Sequence, residues 1–280
     1  MIGLVLIQFK NFNTSFNFIN LSSAIQFMKQ LHNPLIDFRY WVLISLASIF
    51  GTNTGDLAVR LCKLSGVFPP EGLMGLKHAG PLPILILLFG VLWLLEKKDD
   101  DKTELFFWSA ILIIRTAATN IADMIAGDLH LDPLVCSLVL ALGLSGLALW
   151  WHSRRPQPID PLFVPQTHLL YWSMMMTAGV LGTILGDYVA DEYGLAYSAG
   201  YLSLAMAILV LLGFKNFLVM TPLYWLGVAL ARVAGTDVGD WLAKSVEKGG
   251  SGLDLPTATV ISGFAFTVLA LFWKSKQKSH

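Results

Sequence analysis

Four aspartates, Asp56, Asp123, Asp187 and Asp240, each lie four residues after a threonine (Thr52, Thr119, Thr183, Thr236) and fifteen after a tryptophan (Trp41, Trp108, Trp172, Trp225). On an α-helix a spacing of four stacks the threonine and aspartate on one face, so every copy presents a hydroxyl beside a carboxylate. Asn53 and Asn120 stand beside this stripe, and Asp237 adds a further carboxylate. Such a set of hard oxygen donors suits magnesium, manganese or calcium better than zinc or copper. Asp56, Asp123, Asp187 and Asp240 are therefore the candidate metal ligands, and the cation is read as cargo, with no resident cofactor expected.

Four residues before each threonine the copies alternate: Arg115 and Arg232 in the second and fourth, Ser48 and Gly179 in the first and third. This alternation predicts a site with pseudo-twofold symmetry. Five aspartates against two arginines leave a net charge of minus three, which favours a cation or a set of exchangeable protons. The arginines would serve as counter-charges that compete with the cargo. The plainer alternative is that aspartate and arginine pair as structural glue between helices. Small residues also recur four apart, as Gly51 and Gly55, Ala118 and Ala122, Gly182 and Gly186, and Gly235 and Gly239. These read as close-packing positions, and the tryptophans read as anchors at the membrane interface.

The elements that must position these residues follow from composition. Of 280 residues 55% are hydrophobic and 14% charged, with a mean hydropathy of +0.63, against roughly 25% charged in soluble domains. This is an all-α polytopic membrane protein. Eight transmembrane helices are expected, at about 38–63, 81–95, 105–127, 132–151, 169–190, 196–214, 222–246 and 256–273. The first of each pair carries the motif and the second is apolar all round, which predicts four parallel two-helix repeats with the motif helices as an inner ring. The chain divides into a lead-in (1–36), repeat one (37–96), repeat two (97–153), repeat three (154–214) and repeat four with a basic tail (215–280). The lead-in is polar and Asn-rich, leaves room for an interfacial helix near Leu21 to Leu31, and does not read as a cleaved signal peptide.

Twelve Lys and Arg fall on the side of the termini and pair-to-pair connectors, including EKKDDDK and HSRRPQP, against five on the other side. That bias places both termini in the cytoplasm. With tryptophan at the cytoplasmic interface, the aspartate lies about 22 Å further along the helix, in the outer half of a core roughly 30 Å thick. Asp128, Asp132, Asp191 and Glu192 beyond it could attract cations, although solvated loop acids are the commoner case.

Several functions find no support. Zero net charge gives no case for nucleic acid. The six histidines and two cysteines form no metalloenzyme, nucleophile or disulfide pattern, and the GGSG at 249–252 lacks the Lys and Ser/Thr of a phosphate loop. A non-enzyme is expected. The repeated aromatic–Trp, small–Thr and small–Asp pattern over residues 38–273 resembles a family of bacterial membrane proteins built from four tandem two-helix repeats and known as a repeat of unknown function. The resemblance implies that fold and a bacterial inner-membrane location, and supplies no activity. Repeat one departs slightly, with Ala58 two residues after its aspartate where the others have Ala126, Ala190 and Ala243 at three. The partners expected are the lipid bilayer and a small cation, and the function expected is a transporter or exporter of a divalent metal such as manganese or magnesium, or one coupled to protons. The alternatives are a carrier of small organic solutes and a non-transporting scaffold or sensor.

Overall fold

The computed structural model describes residues 33–66, 72–96, 104–154, 164, 169–214 and 222–272. The expected lead-in helix, most of the basic connectors and the basic tail lie outside the described residues. Eight α-helices account for nearly all the rest: α1 (Phe38–Ser65), α2 (Leu82–Glu96), α3 (Leu105–Asp123), α4 (Pro133–Arg154), α5 (Leu169–Tyr193), α6 (Leu195–Phe214), α7 (Pro222–Ala243) and α8 (Leu255–Phe272). Helix α1 starts where the Asp37 carboxylate accepts a hydrogen bond from the Tyr40 N–H at 3.0 Å, and it stops at Gly66, whose φ of 65° needs no Cβ to be accommodated. Asp254 caps α8 in the same way, accepting from the Thr257 N–H at 3.4 Å, and a second bond from Thr257 Oγ1 at 2.6 Å draws its pKa below the usual value. Helix α3 does not stop cleanly but runs on into a single π-turn, Met124–Asp128. That turn is held from outside, since Asp128 accepts from the His78 backbone N–H at 2.9 Å and faces its ring nitrogen at 3.0 Å.

Seven of the helices are long and apolar enough to cross a membrane, which makes this a multi-pass membrane protein. Helix α7 is the eighth and falls outside that criterion because Arg232, Asp237 and Asp240 lie within its 22 residues. It is nonetheless packed on α1, α5 and α6. The even-numbered helices are mostly uncovered: α2 buries no residue, and Ile86, Leu87, Leu138, Leu142 and Leu204 stand out from the surface as lipid would require.

The odd-numbered helices pack as a closed cycle, α1 on α3, α3 on α5, α5 on α7 and α7 on α1. All four point the same way. The even-numbered helices do not chiefly pair with the helix they follow, as a set of two-helix hairpins would. Helix α2 packs on α3, α4 mainly on α5, α6 mainly on α7, and α8 mainly on α1, while α1 with α2, and α3 with α4, make almost no contact. Each apolar helix thus buttresses the next motif helix, and α8 closes the circuit back to the first.

Small residues set the spacing of the cycle. A Cβ added at Gly51 would run into Arg115, one at Gly55 would lie 2.6 Å from the Thr119 Cβ, one at Gly182 2.5 Å from Arg232 Cγ, and one at Gly235 would run into Ser48. Gly179 meets the Ala118 methyl in the same manner, at 2.7 Å. The small positions of one motif helix therefore face the polar stripe of its neighbour, the close approach typical of small-xxx-small seams. Gly235→Val should lower stability by about 1–3 kcal/mol, because backbone and side chain of Ser48 must give way. Gly143→Ala on α4, where an added methyl meets nothing, should be neutral or stabilising. Thermal unfolding in detergent compares the two.

Candidate functional site

The axis of the four motif helices is built in layers, and the first is aromatic. Tyr40, Phe107, Tyr171 and Tyr224 converge there, with the Tyr224 hydroxyl 2.5 Å from that of Tyr40 and 2.9 Å from that of Tyr171. Each tryptophan then lies against the aromatic residue of the preceding motif helix: Trp108 on Tyr40 (5.7 Å between centroids), Trp172 on Phe107 (5.8 Å), Trp225 on Tyr171 (5.5 Å) and Trp41 on Tyr224 (5.9 Å). All four tryptophans are buried, between 0% and 7% exposed. They are core residues of an aromatic plug, a correction to their reading as interface anchors. The cause is that the preceding aromatic residue turns to the axis and leaves its neighbour a flat surface to cover. Beside the plug, Arg39 pairs with Glu104 at 2.5 Å, and Glu104 also accepts from the Trp108 indole N–H at 3.1 Å.

Two turns further along come the arginines, and they differ. Arg232 is fully buried and reaches all three other motif helices. Its Nε and Nη2 donate to Thr183 Oγ1 at 3.0 and 2.8 Å, Nη2 donates also to Thr119 Oγ1 at 2.5 Å, and Nη1 donates to the Ser48 carbonyl at 2.9 Å. Arg115 is equally buried, yet none of its three guanidinium nitrogens has a hydrogen-bond partner among the described residues. The expected twofold equivalence of the two arginines is broken. Neither lies within ion-pair distance of a motif aspartate; among the described residues the ion pairs are Arg39–Glu104, His78–Asp128 and Lys244–Asp240. An offset of eight residues, about 12 Å along a helix, explains why the arginine and aspartate layers do not meet.

The threonines and aspartates do meet. Thr52, Thr119, Thr183 and Thr236 form the floor, and Asp56, Asp123, Asp187 and Asp240 the walls, of one cavity of about 270 Å³, room for several waters. Thr52, Thr119 and Thr183 donate back to carbonyls one turn earlier in their own helices, at 3.1 to 3.2 Å, which leaves hydroxyl lone pairs for the axis. Thr119 and Thr183 use theirs on Arg232, which closes the floor. At the mouth stand Ala190, Asp191 and Lys244, with the Lys244 ammonium 2.6 Å from the Asp240 carboxylate. Asp56, Asp123 and Asp187 have no hydrogen-bond or ion-pair partner among the described residues.

Three candidates lie elsewhere. Asn53, Asn120 and Asp237 are buried but do not line the cavity. Each is one residue past a threonine and so is turned about 100° off the stripe, towards a helix–helix seam. Asn120 donates to the Thr116 carbonyl at 3.0 Å, while both side-chain heteroatoms of Asn53 and both carboxylate oxygens of Asp237 are unpaired among the described residues. Among the described residues no group of three or more His, Cys, Asp or Glu is placed to hold a metal ion. The four aspartates border one common cavity with room for several waters between them. From sequence Asp191 is expected among the outer loop acids, and Lys244, within the span expected at 222–246, counts only among the five basic residues of the outer side. The signal was there, since each stands four residues after a motif aspartate and so continues its stripe by one turn.

A family model described as a Repeat of Unknown Function (DUF347) matches residues 223–279, which contain Trp225, Thr236 and Asp240. Neither the curated proteins nor the solved structures contain a match to the chain.

The contrast between the two arginines is measurable. Arg232→Met removes charged hydrogen bonds to three helices and should cost about 2–4 kcal/mol. Arg115→Met replaces an unpartnered buried cation by an apolar chain of similar length and should leave stability unchanged or raise it. Denaturation of the purified variants in one detergent gives the order.

Proposed function

We propose that this protein transports a small cation, or protons, across the membrane, with the four aspartates as the ion-holding groups and the threonines as neutral oxygen ligands. The observation that carries the reading is one cavity bordered by four carboxylates, of which Asp240 alone has a basic partner, Lys244, among the described residues. Lining a polar recess with unpaired acids inside an apolar helical protein is expensive, and such acids mark ion and proton pathways. Carboxylates and hydroxyls set around a cavity with room for several waters favour cargo that keeps part of its hydration, so the aspartates act through water and through field. The lack of any arginine–aspartate pair among the described residues weighs against a purely structural role for the acids.

In this reading the four motif helices are the inner ring of four tandem two-helix repeats, and the aromatic plug is the closed side of the path. With the termini in the cytoplasm, as the distribution of Lys and Arg suggests, the plug faces the cytoplasm and the aspartate cavity opens outward. A bacterial inner membrane is the setting the repeat family implies. In that orientation the cavity is read as facing outward, and transport requires the plug to part while the cavity closes.

Proteoliposomes test this directly. Wild-type protein should move manganese, sodium or protons down an imposed gradient, followed with a quenched metal dye, a sodium dye or a pH dye. Asp123→Asn and Asp240→Asn should each lower that flux about tenfold or more while eluting as folded protein. The proposal fails if wild-type vesicles are as tight to all three ions as empty ones, or if both variants carry the ion as fast as wild type.

A further inference from the structure

A cation already stands at the mouth of the cavity. Lys244 follows the last residue of α7, and its ammonium rests 2.6 Å from Asp240 Oδ2, one of the four carboxylates that line it. Its backbone is fixed: the Lys244 N–H donates to the Asp240 carbonyl at 2.8 Å, and the Lys244 carbonyl accepts from the Gly252 N–H at 3.1 Å. The loop that follows is strapped down as well, with the Ser251 N–H on the Trp241 carbonyl at 2.7 Å and Ser251 Oγ on the Leu242 carbonyl at 2.9 Å. The side chain is otherwise lightly held. It is 44% exposed while the Asp240 side chain is 9% exposed, so the ammonium can swing out into solvent on its four-carbon stem without moving the backbone.

We propose that Lys244 is a tethered cation that occupies the Asp240 side of the cavity, and that cargo enters by displacing it. This deepens the transport reading and rests on it. The ammonium also indicates the class of cargo that fits its place: a compact cation bearing hydrogen-bond donors, of the ammonium type or a hydrated ion, held by Asp240 with one neighbouring carboxylate. The lysine end of the pair is half-exposed, and solvent there loosens its hold, which suits a competitor that must leave. Because it is covalently attached, its effective concentration at the carboxylate is of millimolar order or above. Only cargo that binds strongly enough to overcome that competitor is accepted, so Lys244 sets a threshold on which cations load.

The experiment uses the full-length protein in nanodiscs and the apolar reagent dicyclohexylcarbodiimide, which modifies carboxyl groups within the membrane, with labelling of each aspartate read by peptide mass. Methylammonium chloride and manganese chloride are titrated separately as protecting ions. In Lys244→Met, Asp240 should label faster, and the better of the two ions should half-protect it at about tenfold lower concentration than in wild type, since the tethered competitor is gone. Lys244→Arg, which keeps the charge, should stay near wild type, and Lys244→Gln serves if the methionine variant does not elute as folded protein. Protection of the aspartates in wild type at the same concentration as in both neutral variants would overturn the role of Lys244 and leave the transport reading standing. Failure of both ions to protect Asp240 even in the neutral variants would overturn displacement of Lys244 by such cargo, whereas the transport reading stands or falls on the vesicle fluxes.

Discussion

The structure depends on how closely the four motif helices approach one another. At Gly51, Gly55, Gly179, Gly182 and Gly235 a single added carbon would collide with the neighbouring motif helix. With no hydrophobic driving force between helices in lipid, this intimacy is what holds the bundle through dispersion contacts and short polar bonds. It also dictates where the chemistry goes. On each motif helix one side is used up by the small-residue seam and another by the buttressing apolar helix. The threonine and aspartate stripe is left with the axis. The carboxylate-lined cavity is in this sense a consequence of packing, and the acids need no separate device to keep them from lipid.

The same closeness accounts for the unequal arginines. Arg115 and Arg232 hold equivalent places in their motifs, yet the axis at that level is too narrow to give two guanidinium groups full sets of acceptors. Arg232 takes them: two threonine hydroxyls and the Ser48 carbonyl. Arg115 sits one seam away, beside the Ala118–Gly179 contact. A guanidinium that spans three helices is a crossbar between the aromatic plug and the threonine floor. It separates the closed half of the axis from the wet half, and its positive charge faces the far side of the aspartate cavity across the threonine layer.

Much of this was legible in the sequence because the motif is written four times. A spacing of four between threonine and aspartate fixes a shared face whatever the tertiary packing, and four copies in one register require the stripes to be treated alike. The membrane-spanning character was legible from composition. What escaped was everything set by which helix lies beside which. Asn53, Asn120 and Asp237 are one residue from the stripe in sequence and a seam away in space. Trp41 and its three counterparts have the amphipathic chemistry of interface anchors, and only the neighbouring Tyr40, Phe107, Tyr171 and Tyr224 decide that they are core.

Connectivity finally constrains how the axis can open. The apolar helix that follows each motif helix buttresses mainly the next one, and α8 returns to brace α1. No motif helix can tilt away from its neighbours without shifting the buttress attached to it through the chain, and that buttress lies on the following motif helix. The aromatic plug is linked in the same cyclic order, each tryptophan on the ring of the preceding helix. A displacement at one seam is thereby handed around the cycle in a fixed direction. Two cyclic linkages of the same sense, one outside and one on the axis, favour a concerted rearrangement of all four motif helices over the swing of a single gate. The Tyr40, Tyr171 and Tyr224 hydroxyls meet on the axis, so a rearrangement of this kind would have to part all three together.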